Sequence, residues 1–270
     1  EPRLPSLAVS PLSFMEPPFL YRMEPPGISL FSFTRNAAST TYIEMIAIQN
    51  VHKSFGSKPV LHNINIQFDA GKVYGIVGEN GAGKTTLFRC IAGLEDYTGT
   101  ISSIQKPLKE HLGLLLTDPF FFAKITGREY LQLLCNARNI AIADIDSRNI
   151  FDLPLNQYAA TYSTGMKKKL ALTAILLQQN QYYILDEPYN GVDIQSNIII
   201  TEIIHKLKEL GKTVIISSHI FSTLRDTCDE IHLLKDGIFT QSAQRDGFSE
   251  IEQAMKESSV GNKLERLLLQ

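Results

Sequence analysis

The residues best suited to chemistry stand in GENGAGKT, Gly78–Thr85, which has the spacing G-x-x-x-x-G-K-[ST]. The apolar run VYGIV precedes it and TLFRCIAGL follows, so a strand would feed the loop and a helix would leave it. Gly78, Gly81 and Gly83 let the backbone turn tightly, so that its N–H groups point inward and, with the helix N-terminus, cradle phosphate. The expected cradle takes in Gly78, Asn80, Gly81, Ala82, Gly83, Lys84, Thr85 and Thr86. Within it Lys84 would reach the β- and γ-phosphates of a nucleotide and the Thr85 hydroxyl would ligate Mg²⁺.

A second candidate is YYILDEP, where an apolar run ends in Asp186 and Glu187 follows at once. At the C-terminal edge of a buried strand, beside a phosphate cradle, Asp186 can hold Mg²⁺ through water and Glu187 can polarise an attacking water. Taken alone, the acidic pair would fit a solvated turn at a strand end. The glycine loop upstream is what gives it a chemical reading.

The elements that must position these residues follow from periodicity. MIAIQNV and PVLHNINIQF alternate apolar and polar residues, as half-buried antiparallel strands do. VYGIV, YYILD and TVIISS are short apolar runs separated by helical stretches, which favours a buried parallel sheet. Residues 126–179 read mostly helical, with Tyr130, Leu131 and Leu134 at helical spacing and KKKLALTAILL as a second run, giving a candidate helical subdomain at about 120–180. SNIIITEIIHKLKEL places Ile200, Ile203, Ile204 and Leu207 on one face and is closed by Gly211, as a crossover helix between parallel strands would be. The expected fold class is α/β: a phosphate-loop NTPase core with a mixed sheet, an N-terminal antiparallel β subdomain and an inserted helical subdomain.

Bulk properties bound the reading. A chain of 270 residues, 44% hydrophobic, supports one core, or a core with a smaller subdomain. With 26 basic and 28 acidic residues there is no global field to draw nucleic acid, and no nucleic-acid partner is expected. Cys90, Cys135 and Cys228 are widely spaced and form no CxxC pair, which argues against a disulfide framework or zinc site and fits a reducing, cytosolic setting. No run reaches the roughly 18 apolar residues of a membrane span, and no secretory pattern is found. Seven of the twelve prolines precede Met45. Residues 1–44 therefore read as an irregular extension, non-native or from upstream translation, with Met45 the expected natural start. The folded domain is expected over 45–240 and a tail over 241–270.

In their order and type these motifs resemble the ATP-binding subunits of ABC transporters, over roughly Met45 to Gly237. Between GENGAGKT and YYILDEP comes YSTGMKKKL, similar to the family's signature segment in the form found in drug, bacteriocin or lantibiotic exporters. The resemblance implies that Ser163 and Gly165 contact the γ-phosphate of ATP bound to an opposite subunit. A hydroxyl and a small residue at a helix start do make an anion-binding end. Thr164 stands where many members have glycine. YNGVD implies that Asp193 lies in a loop facing the partner subunit, and IISSH implies that His219 senses the γ-phosphate through its imidazole. Phe55, in HKSFG, would stack on adenine. LGLLLTDPFFF resembles a loop that normally carries a glutamine touching Mg²⁺, but Thr117 occupies that place, with Asp118 beside it, and neither reproduces the reach of a neutral amide. Lys167, Lys168 and Lys169 read as a solvated helix face.

The function so implied is binding and hydrolysis of ATP with Mg²⁺. Glu187, His219 and Lys84 would be catalytic, with Thr85 and Asp186 on the metal. Hydrolysis would power transport, in the export direction, through separate integral membrane subunits. The chain would work as a homodimer or with a paralogous ATPase subunit, in the cytoplasm and peripheral at the inner face of the cell membrane. Among soluble ABC ATPases, translation relatives carry two cassettes, and repair relatives place a long coiled coil between loop and signature, where Lys84 and Ser163 leave no room for one. A phosphate-loop GTPase or kinase would need its own reader, and the nearest echo, NKLE at Asn262–Glu265, carries glutamate in place of aspartate. A switch without turnover would more commonly have lost Glu187.

Overall fold

The computed structural model describes residues 45–256, so the expectations for residues 1–44, for the NKLE segment and for the end of the tail lie outside the described residues. In chain order the elements are β1 (Met45–Phe55), β2 (Lys58–Asp69), β3 (Val73–Val77), α1 (Lys84–Ile91), β4 (Thr98–Ser103), β5 (Leu112–Leu115) and α2 (Gly127–Asn136). There follow α3 (Thr164–Leu177), β6 (Tyr182–Asp186), α4 (Ile194–Glu209), β7 (Thr213–Ser217), α5 (Phe221–Thr227), β8 (Glu230–Lys235) and β9 (Ile238–Gln244). A helical segment over 248–256 closes the described chain.

Two sheets result. A three-stranded sheet, order β2-β1-β4, is antiparallel, as the alternating patterns of β1 and β2 predict. A six-stranded sheet has the order β5-β6-β7-β3-β8-β9, parallel throughout except for the antiparallel β8–β9 pair. Every residue of β3, β6 and β7 is buried, because both faces of this sheet are covered. Alternate residues serve opposite cores. Val73, Val77, Tyr183, Leu185, Val214 and Ile216 join the cluster beneath α3, α4 and α5. Tyr74, Ile76, Tyr182, Ile184 and Ile215 join the one that takes in α1 and the antiparallel sheet.

Connections follow the chemistry of their ends. α4 carries the chain from β6 to its neighbour β7, buries Ile200, Ile204 and Leu207, and gives way to Gly211 at φ 71. α2 opens with a capping box, in which Thr126 Oγ1 accepts from Glu129 N and Glu129 Oε2 accepts from Thr126 N. The mostly helical reading of 126–179 needs correction, since residues 137–163 between α2 and α3 form no α-helix, only short 3₁₀ turns at Asp146–Arg148 and Ala159–Thr161. Short polar side chains there compete with a helical ladder: Asp144 Oδ1 accepts from Ser147 N, and Asn149 accepts from Leu153 N while donating to Leu153 O.

Candidate functional site

The glycine loop joins β3 to α1. Gly83, at φ 107, caps α1 without a side chain, and a Cβ there would fall 2.8 Å from Leu61 Cδ2. No side chain therefore caps the first N–H groups of α1, the arrangement in which a helix N-terminus can receive an anion. Lys84 is buried and folds back over the loop, its Nζ donating to Gly78 O at 2.6 Å and Glu79 O at 3.2 Å. Burial pushes this amine below its ordinary value, opposed by the nearby charges of Glu187 and Asp186. The loop is backed by the β8–β9 turn, where Gly237 N donates to Ala82 O at 3.2 Å and Gly237 O accepts from His62 N at 2.9 Å.

The acidic pair sits at the end of β6. Asp186 is 1% exposed and receives three hydroxyls: Thr85 Oγ1 at 2.7 Å and Thr117 Oγ1 at 2.8 Å donate to Oδ2, and Ser217 Oγ at 2.6 Å donates to Oδ1. The parallel register of β6 and β7 sets Asp186 opposite Ser217. Ser217 Oγ also accepts the Glu187 N–H at 2.9 Å. Glu187 has φ 51, in the left-handed region, and its Oε2 lies 2.7 Å from His219 Nδ1. From α3, Lys168 Nζ donates to Glu187 O at 2.7 Å and to Asn190 O at 2.9 Å.

The loop, the acidic pair, Thr117, Asn190 and His219 open onto one cavity of about 1430 Å³. It is lined by residues 78–86 with Thr117, Asp186, Glu187, Asn190 and His219, and on another side by Val60, residues 233–236, Thr240, Gln241, Ala254 and Met255. The structure thus brings the expected Gly78, Asn80, Gly81, Ala82, Gly83, Lys84, Thr85, Thr86, Asp186, Glu187 and His219 together. Four expected residues do not line it. Phe55 is half exposed, with the Lys53 ammonium 4.6 Å from its ring centre. Ser163 is exposed and caps α3, accepting from Met166 N at 3.2 Å. Gly165 lies against Gly191 O, which a Cβ would approach to 2.5 Å. Asp193 caps α4, and the amide and hydroxyl of Ser196, with Lys169 at 3.1 Å, hold its carboxyl well below the usual carboxylate range.

One expectation is overturned. Lys168 belongs to no solvated face: it is 2% exposed, and Lys169 is engaged by Asp193 and Ser196. α3 is buried nearly all round, so it has no single polar side on which three lysines could lie. Ser217, Lys168 and Asn190 are site residues that sequence reasoning passed over. The available signal was weak, a hydroxyl inside an otherwise apolar strand run and a lysine inside a buried helix.

The ABC transporter family profile matches residues 61–190. Over 206 residues the chain is 32% identical to the bacitracin transport ATP-binding protein BcrA of Enterococcus faecalis, covering 72% of this chain and 67% of that one. The chain belongs to the ABC transporter ATP-binding proteins. As an ABC ATPase it binds and hydrolyses ATP to drive transport, the family its motifs resemble. It is also 29% identical over 222 residues to the lantibiotic transport ATP-binding protein SrtF of Streptococcus pyogenes, covering 77% of this chain and 95% of the relative. Its fold is that of solved cassettes: a dimeric ATP-binding cassette in a post-hydrolysis state with ADP and Pi superposes with a TM-score of 0.66 at 21% identity, covering 74% of this chain and 98% of that one. Among the described residues of this ABC ATPase, no helix is long and apolar enough to cross a membrane.

Proposed function

We propose that this ABC ATPase holds the triphosphate of ATP over residues 78–86, with Mg²⁺ against Thr85 and Asp186 and with Glu187 as the base. The observation that carries the reading is the set of hydroxyls on Asp186. Thr85 and Thr117, both of which line the cavity, share Oδ2, while Ser217 takes Oδ1. That is a hard oxygen donor set of the kind Mg²⁺ accepts, completed by water and phosphate oxygens. Held by Thr85 and Asp186, Mg²⁺ would supply positive charge to offset the negative charge of the phosphate oxygens.

Each side chain then has a task. Lys84 exchanges its carbonyl partners, Gly78 O and Glu79 O, for phosphate oxygens. Glu187, aimed by His219, accepts the proton of the attacking water. Asp118 is exposed and does not line the cavity, so Thr117 takes the place beside the metal. Ser163 and Gly165, at the start of α3, and Asp193, at the start of α4, face a second cassette, a copy of this chain or a paralogue, and close its ATP from the far side. The dimeric relative bound to ADP and Pi supports that arrangement. Phe55 stacks on the base once ATP is in place.

Residues 45–240 form the cassette, with the arm at about 120–180 turned toward integral membrane subunits. The exposed ring pair Phe120 and Phe122, following Thr117, gives that arm an apolar surface. Export is the direction favoured by YSTGM; the names of the relatives point to transport of a lantibiotic and of bacitracin. The site of action is the cytoplasmic side, peripheral at the inner face of the cell membrane. The decisive experiment is Glu187→Gln: hydrolysis should fall by roughly 10²- to 10⁴-fold while ATP stays bound. Hydrolysis at the wild-type rate would remove Glu187 from its assigned role.

A further inference from the structure

We propose that Lys168 and Ser217 are positioning residues that grip Glu187 by its own backbone, and that Lys168 thereby ties α3 to the catalytic carboxylate. The inference rests on the reading of Glu187 as the base.

Among the described residues seven that are not glycine have positive φ, and five of these are Asn or Asp, whose short side chains bond locally and tolerate that conformation. Glu187 has a longer side chain without that local bonding; beyond the turn bond from Asn190 N to its C=O at 3.1 Å, contacts from other elements hold it. They do so from both sides: its N–H is taken by Ser217 Oγ from β7, and its C=O by Lys168 Nζ from α3. The roles at Ser217 are fixed by valence. Its oxygen accepts the Glu187 N–H, so its single proton goes to Asp186 Oδ1. One hydroxyl thereby orients both acids.

Lys168 makes the stronger case. The residue is 2% exposed, and its ammonium ends on two carbonyls of the segment 187–190. A buried ammonium is stable only where such acceptors receive it. A lysine serving solubility would sit outside. Because α3 begins at Ser163 and Gly165, a shift of that helix end reaches Glu187 through one side chain.

The test uses the full chain and four variants: Lys168→Met, Ser217→Ala, Glu187→Gln, and the Lys168→Met/Glu187→Gln double. Steady-state hydrolysis gives kcat and KM, titration with a fluorescent ATP analogue gives nucleotide affinity, and thermal melting reports folding. A misplaced base predicts that Lys168→Met lowers kcat by roughly 10- to 100-fold with nucleotide affinity unchanged. It also predicts that the double variant is no slower than Glu187→Gln, since the two changes act on one group. A folded Lys168→Met protein with wild-type kcat overturns the proposal, as does a full additional loss in the double variant. Should Lys168→Met not fold, Ser217→Ala decides, together with a Ser217→Ala/Glu187→Gln double: a reduced kcat with no further loss in the double supports the grip, and a normal kcat or a full additional loss refutes it. Wild-type turnover by Glu187→Gln is a different failure, since it removes the base itself.

Discussion

Lys84 in the glycine loop and Lys168 in α3 each bury an ammonium and each direct it at two backbone carbonyls. Desolvation depresses both amines, and Glu187 and Asp186 oppose the shift in both. They differ in what surrounds the contact. Lys84 bonds within its own loop and lines the cavity, whereas Lys168 reaches from α3 to the segment after β6 and is not among the cavity's lining residues. On the proposed function, the same chemistry gives an exchangeable donor in one place and a fixed tie in the other. Access to ligand, and not residue type or charge, separates them.

The largest effect should come from removing the exchangeable donor. Lys84→Met is expected to lower hydrolysis by at least ~10²-fold and to weaken binding of the fluorescent ATP analogue, with the melting temperature near that of the wild type. Retained nucleotide affinity would place Lys84 with the fixed ties and break the distinction. A smaller effect probes the packing around Lys168. In Gly165→Ala the new methyl group meets Gly191 O at 2.5 Å, so α3 must move off the loop after β6. Urea unfolding should report a destabilisation of about 1–3 kcal/mol, and no change would mean that this contact gives way freely.

The smallest effect is on pH dependence. Both amines sit below the ordinary 10.5, so between the folded value and 10.5 the unfolded chain binds more protons than the native one. Stability then rises with pH across that window, by at most about 1.4 kcal/mol per pH unit for each lysine. Lys168→Met should show a shallower alkaline rise in urea unfolding than the wild type, and an unaltered slope would mean that this amine is not held low.

Sequence reasoning reached β3, β6 and β7 because a strand buried on both faces is written as an uninterrupted apolar run. It reached Lys84, Thr85, Asp186 and Glu187 because each is adjacent to such a run or within a fixed local spacing. It did not reach Ser217 or the role of Lys168, since their bonds to Glu187 span 30 and 19 positions and exist only once β6 lies beside β7 and under α3. Three consecutive lysines look solvated when the helix is imagined with one wet side. The segment 137–163 escaped for the opposite reason: its side chains bond locally, which hydrophobic spacing does not record.

The β8–β9 turn joins Ala82 on one side and His62 on the other through a single residue, Gly237. A late part of the chain thus acts as scaffolding for a loop formed far earlier in the sequence. Genetic variation that lengthens or opens this hairpin will be felt in the glycine loop, so the hairpin is bound to the inheritance of that loop and is not free to diverge as an ornament would be.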